Sequence, residues 1–311
     1  MTMVVAARTA PTHLDPGKRF LAWFGAHPIG YLFVAPYVIW VLAIYAYPVL
    51  FAVYMSFFDY FFAAPGAVVD RPFVGLQNYT QVLVDPLFHL AMRDVVEFVA
   101  INVPLTVVLA LVLATALNGV LPIRAFFRAA YYIPYVTASV AVISIWLWLF
   151  SGTGIINKIL GDLAPTPPWL VNGFWAMPII AFYVTWKQLG FYVLLYLAAL
   201  QNIPAPLYEA AKVDGAGRLR TFFVVTVPGV RSATTLVVVV ATIVGANFFS
   251  EPYLLTGGGG PDGQSISPVL LMYQSGIEQN RPGYAAAIGV LLTIAVMAVS
   301  AINRFVFEER E

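Results

Sequence analysis

Within LYEAAKVDGAGRL, residues 207–219, the chain sets Glu209, Lys212, Asp214 and Arg218 close together. Elsewhere charge is scarce, since Asp, Glu, Lys and Arg make up only 10% of the sequence. The chemistry this pattern offers is recognition rather than catalysis. Cysteine is absent, which removes thiolate nucleophiles, disulfides and sulfur-ligated metals. His13, His27 and His89 are scattered, so no histidine metal cluster is expected. The glycine run Gly257–Gly260 is followed by Pro261 and Asp262. A phosphate-cradling loop needs Gly-Lys-Ser/Thr at its end, so this is not a nucleotide site. No catalytic residue and no metal ligand are expected.

The elements that must position these residues are apolar. Hydrophobic residues make up 61% of the chain and aromatic ones 15%. Soluble domains have about 45–50% apolar residues and about 25% charged ones, so a bilayer is the expected solvent. The formal net charge of +1 points to no nucleic-acid partner. About 20 apolar residues cross a hydrocarbon core. Six stretches qualify, at 29–58, 95–117, 126–150, 174–200, 233–249 and 284–307. Pro36, Pro48, Pro104, Pro134 and Pro178 fall in or beside them, which suits helices packed in a bundle. The first stretch is longer than the 7–15 apolar residues typical of a cleaved signal, so a retained helix is expected. The reading is an all-α membrane protein, a six-helix bundle at 29–307. A segment at 1–28 precedes it and a tail at 308–311 follows it.

Lys and Arg orient the bundle. With the N-terminus in the cytoplasm, one side holds Arg8, Lys18, Arg19, Arg124, Arg128, Lys212, Arg218, Arg220, Arg231, Arg304 and Arg310. The other side holds Arg71, Arg93, Lys158 and Arg281. Both termini and the connection at about 201–231 are therefore expected to be cytoplasmic. The Gly/Pro-rich connections at 59–93, 151–173 and 250–283 would be extracytoplasmic, with a short helix near 78–84.

In the polar segment, Pro206 suits a first helical position. Gly215 suits the left-handed residue that ends a helix. A second helical stretch, RLRTFFVVTV, is expected to stop before Pro228. An ordinary polar loop is the competing reading. Inside the spans, Lys187 with Gln188 and Trp186, then Asn102 and Asn247, are candidates for lining a polar pathway. Interhelical hydrogen bonding is the competing account of each. Glu97 and Glu251 lie near the outer rims. Trp146, Trp148, Trp169 and Trp175 are read as interface anchors.

The segment resembles the EAA loop of ABC importer permeases, E-A-A-x-x-D-G-A with a later Pro, at Glu209, Ala210, Ala211, Asp214, Gly215, Ala216 and Pro228. FVGLQNYTQVL, SGTGIINKIL and LAALQNIPAPLYEAAKVDGA are similar to segments of the carbohydrate-uptake branch. PYLLTGGGGPDGQS is similar to a loop of the first, maltose-type partner, with more glycines than usual. The resemblance implies a permease that moves a sugar-type solute and holds no cofactor itself. ATP and Mg would bind a cytoplasmic ATPase dimer seated on the coupling helix, with Glu209 as anchor. A second, homologous permease would complete the path in the cytoplasmic membrane of a prokaryote, against membrane lipid. An extracytoplasmic binding protein would dock near Thr256, Gly257, Gly258, Gly259, Gly260 and Pro261. An ion-gradient-driven secondary transporter and a membrane receptor or scaffold are the alternatives. The few acids at span centres and the lack of a clear internal repeat weigh against the secondary transporter.

Overall fold

The computed structural model describes residues 29–119 and 124–308. The expected N-terminal segment 1–28, with Arg8, Lys18 and Arg19, lies outside the described residues, as does the end of the tail with Arg310. Residues up to Tyr54 form one unit and those from Met55 a second. In the first, α1 (Ile29–Val41) continues through a π turn at Leu42–Ala46 into α2 (Tyr47–Met55). None of the residues of the π turn or of α2 is buried, and apolar side chains such as Leu32, Phe33 and Leu50 stay exposed.

The regular elements of the second unit are helices; among its described residues the only strand-like pairing is an isolated bridge between Phe58 and Phe73. Its elements run α3 (Gln77–Val84), α4 (Pro86–Asn118), α5 (Arg124–Val136), α6 (Ser139–Leu149), α7 (Ile155–Leu160) and α8 (Ala176–Gln201). Then come α9 (Ala205–Val213), α10 (Arg218–Thr221), α11 (Val227–Gly229), α12 (Arg231–Ala246), α13 (Ser250–Leu255), α14 (Pro268–Tyr273) and α15 (Pro282–Glu308). Among the described residues four helical runs are long and apolar enough to cross a membrane, or up to six if each of two bent pairs counts as one span. α3 forms where the short helix near 78–84 was expected.

Three expected boundaries move, each for a local reason. The second span starts at Pro86 rather than 95, because the Asp85 side chain accepts from the Leu87 N–H and Pro86 needs no donor in the first turn. The third span is two helices, bent by 102° between α5 and α6. Pro134 removes a helical donor, and both the N–H and the hydroxyl of Thr137 turn back to the Ile133 carbonyl. Ala138 is then non-helical (ψ 126°), and α6 restarts at Ser139. The fifth span is α12 preceded by a 69° bend after α11.

The stretch from Arg218 does not stop at Pro228 either. A π turn at Phe222–Thr226 absorbs one extra residue, and the helical path continues through Pro228 to Gly229. The ring of a proline clashes with the carbonyl four residues back in an α-helix. A π turn ending two residues earlier changes that register. The same device precedes Pro48, after the π turn at Leu42–Ala46.

Helix α4 is about 50 Å long at 1.5 Å per residue, and the core is threaded along it in three tiers. Phe88 and Ala91 pack with Ile266, Leu270, Tyr284 and Ile288. Val95 and Phe98 pack with Ile143, Trp146, Ile180 and Tyr183. Ala110, Ala114 and Leu117 pack with Tyr192, Tyr196, Leu200 and Val237. Trp146, expected as an interface anchor, is 7% exposed inside the middle tier and stacks on Phe150. Trp148 is exposed.

Helix α8 packs on both α4 and α5. It meets α5 at Gly190, where an added methyl would lie 2.2 Å from the Tyr131 carbonyl oxygen. Small residues at a helix crossing let backbones approach, and this crossing sets where the broken third span lies. Gly190→Ala should lower the unfolding midpoint in detergent by several degrees, from a packing loss of roughly 1–3 kcal/mol. Gly30→Ala meets nothing within 4 Å and should leave the midpoint unchanged in the same thermal-shift measurement.

Candidate functional site

The polar segment folds into a short helix and a hard stop. α9 begins after Pro204, so Pro206 takes the second helical position rather than the first. It ends in a left-handed Gly215 (φ +73°). The Gly215 N–H donates to the Lys212 carbonyl (3.0 Å) and the Ala216 N–H to the Ala211 carbonyl (2.9 Å). These two bonds define a Schellman stop. They divide the motif. Ala211 and Ala216 are half-buried and close the turn, whereas Glu209, Ala210 and Asp214 are exposed. Lys212 is also exposed, and no ion pair joins it to Glu209 among the described residues.

One side-chain contact ties this hairpin to the helical path that follows, and a second braces it internally. The hydroxyls of Tyr208 and Thr226 share a hydrogen bond of 3.2 Å. Thr226 is 3% exposed and sits in the π turn that leads into α11 and α12. Thr221 donates from its hydroxyl to the Gly217 carbonyl (3.1 Å), bracing the start of α10. α9 is thus joined by one side-chain bond to the π turn that leads toward the fifth span. Sequence reasoning missed Tyr208 and Thr226, because nothing in their spacing announces a pairing across the glycine stop.

The pathway candidates do not converge on one wall. Asn102 is 3% exposed and donates to the Thr185 hydroxyl (2.8 Å), a clamp between α4 and α8. Asn247 is exposed and donates back to the Ile243 carbonyl (2.7 Å) at the end of α12. Gln188 accepts from the Tyr192 hydroxyl within α8 (3.3 Å). Trp186 is 38% exposed and leans on the Trp146 ring, with centroids 5.7 Å apart.

Lys187 is half-buried and donates to the Ser139 hydroxyl, at the first residue after the break in the third span. Glu251, on α13 beyond the end of α12, interacts electrostatically with Lys187. Desolvation pushes the Glu251 carboxyl above its ordinary value, while its own backbone N–H and the Lys187 ammonium pull it back. A cation, a hydroxyl and a carboxyl from three helices thus gather at the broken third span. Ser139 was not anticipated, because its position matters only once the span is known to break at 138.

The glycine loop is a compact knot. The N–H groups of Gly258 and Gly259 both donate to the Pro252 carbonyl (3.2 Å each), and Gly260 donates to the Thr256 carbonyl (3.1 Å). Ser265, fully buried, donates its hydroxyl to that of Thr256 (2.8 Å). All four glycines, Gly257 to Gly260, have positive φ, which only such residues adopt freely in succession. Gly257 and Pro261 remain exposed at the tip.

Residues 104–310 match the family described as the inner membrane component of binding-protein-dependent transport systems. The chain is 34% identical over 277 residues to the arabinooligosaccharides transport system permease protein AraP of Bacillus subtilis, covering 88% of this chain and 86% of that one. It is 30% identical over 288 residues to the lactose transport system permease protein LacF of Rhizobium radiobacter, covering 91% and 95%. In fold it is similar to a solved chain of a bacterial ABC transporter that imports alginate, with a TM-score of 0.76 at 21% identity, over 94% of this chain and 99% of that one.

Removing Lys187 takes away the donor to the Ser139 hydroxyl and the nearby positive charge that favours the desolvated Glu251 carboxylate. Leaving a buried polar partner unsatisfied costs about 1–3 kcal/mol. Lys187→Met should lower the unfolding midpoint in detergent, and adding Glu251→Gln should restore much of the loss. A double variant as unstable as the single one would show that the two groups are not coupled.

Proposed function

Because the chain belongs to the binding-protein-dependent transport system inner membrane component family, and is the permease of an ABC importer, we propose that its cargo is a sugar-type solute and that α9 is the helix through which ATP hydrolysis drives it. The protein is a multi-pass protein of the inner membrane. Family membership sets aside the ion-gradient-driven alternative. Relatives named for arabinooligosaccharides and lactose support the sugar-type cargo.

The observation that carries the coupling role is the construction of the hairpin. An exposed face of Glu209, Ala210 and Asp214 is presented on a helix whose end is closed by a Schellman stop. In our reading both termini and this hairpin are cytoplasmic, as the distribution of Lys and Arg supports. Glu209 anchors a separate ATPase dimer, which holds ATP and Mg; this chain holds neither and catalyses no covalent step. A second, homologous permease supplies the other half of the path. Closure of the ATPases draws the coupling helices together, the Tyr208–Thr226 bond carries the motion into the fifth span, and the bundle alternates its access. The cargo passes beside α8 near Trp186, Lys187 and Gln188; Asn247 is a further polar position, and Asn102 shapes the path by holding α8 against α4. The binding protein delivers it at the glycine-loop end, around Thr256 to Pro261.

Two variants separate the parts of this reading in proteoliposomes with the ATPase subunits and the liganded binding protein. Glu209→Lys should abolish ATPase assembly, seen by co-purification, and with it uptake; normal assembly and transport would refute the anchor. Tyr208→Phe should assemble normally but lose several-fold in solute moved per ATP hydrolysed, because the link behind the hairpin is gone. An unchanged ratio would refute the link.

A further inference from the structure

At the end of α4 opposite the coupling hairpin lies a polar notch of about 400 Å³. Three distant segments build it. α4 contributes Arg93, Asp94 and Glu97, the connection before α8 contributes Gly173, and the glycine loop contributes Asp262 and Gln264. The last two segments touch, since the Gln264 side-chain oxygen lies 1.2 Å from where a methyl added at Gly173 would sit.

Its charge is one-sided, three carboxyls against the Arg93 guanidinium. Asp94 is the telling residue. It is only 3% exposed, and its Oδ2 has no hydrogen-bond partner. A buried carboxyl oxygen without a donor is rare, because the lost hydration is not replaced. Arg93 lies in the same lining but does not donate to Oδ2, so that oxygen lacks a donor, and the notch is where one can enter. Among the described residues no group of three carboxyl or imidazole side chains is close enough to hold a metal ion. Carboxyls set around a wider opening match an ammonium or guanidinium carried on a long side chain, which meets several of them through separate N–H groups.

We propose that this notch is the socket for a lysine or arginine side chain of the extracytoplasmic binding protein. The proposal rests on the importer reading and its orientation, which put the glycine loop on the docking side. Glu97 and Asp262 at the mouth draw the basic side chain in, and Asp94 at the base supplies the acceptor that holds it. Charge at the rim governs the salt dependence of encounter, and the desolvated contact governs how long the complex lasts.

The test uses the whole permease–ATPase complex in nanodiscs and the Kd of the liganded binding protein at low and high salt. Glu97→Gln with Asp262→Asn should weaken binding tenfold or more at low salt and flatten the salt dependence. Asn accepts the positive φ (+54°) of Asp262, so the backbone there is kept. Asp162→Asn, an acid on the same side but outside the notch, should leave Kd unchanged. Asp94→Asn should weaken binding through faster release; should that variant fail to fold, the rim pair decides alone. Changing each surface Lys or Arg of the binding protein to Glu should reveal one whose loss does not add to that of the rim pair. An unchanged Kd and salt slope in the rim variant would overturn the socket. So would binding abolished by chelator and restored by calcium, which would make the notch a metal site. A wild-type complex that binds no binding protein would instead overturn the importer reading beneath it.

Discussion

Inside hydrocarbon no water is present to pair a free backbone N–H or C=O, so each must find a partner within the protein. Most of the architecture follows from that rule. It makes the spans helical, and it governs what happens wherever a helix must bend. Where Pro48 and Pro228 would strip a carbonyl of its donor, a five-residue π turn shifts the register and the chain stays helical. Where α5 gives way to α6, Thr137 turns its own N–H and hydroxyl onto the Ile133 carbonyl.

The same rule concentrates polar side chains at the breaks. A straight span offers no reason to carry a lysine. The broken third span does, because Ser139 opens a new helix beside α8 and Lys187 reaches it. Glu251, on a third helix, feels the Lys187 charge while burial raises its carboxyl above the ordinary value. Along α8 the polar positions do two different jobs. Thr185 accepts from Asn102 to hold α8 against α4, while Lys187, two residues on, holds the break. Polar contacts between helices are individually weak, about 0.6 kcal/mol on average, so position rather than strength distinguishes them.

The hairpin of α9 and α10 sets an exposed face against a closed inner side. Its outer face is exposed, and its inner side is closed by the Ala211–Ala216 bond and tied down by Tyr208 to Thr226. Thr226 lies in a π turn, the same element that lets the chain pass Pro228 toward α12. One local irregularity thus accommodates a proline and receives the link from α9.

Much of this was legible in the residue order. The lengths of apolar stretches marked the four long spanning runs and the two bent helix pairs, and Pro206, Gly215 and the small residues between them marked a helix that stops. Apolar length, charge sign and the conformational needs of Pro and Gly belong to single residues and their neighbours, so sequence alone determines them. The break at Ala138, the burial of Trp146, the pairing of Lys187 with Ser139 and the orphaned Asp94 oxygen were not legible. Each depends on which segment lies opposite which, across 48 positions for Lys187 and Ser139. Only the tertiary structure decided them, because in a bundle a polar atom's partner is set by helix crossings such as Gly190 on Tyr131, and spacing along one helix carries no record of its neighbour.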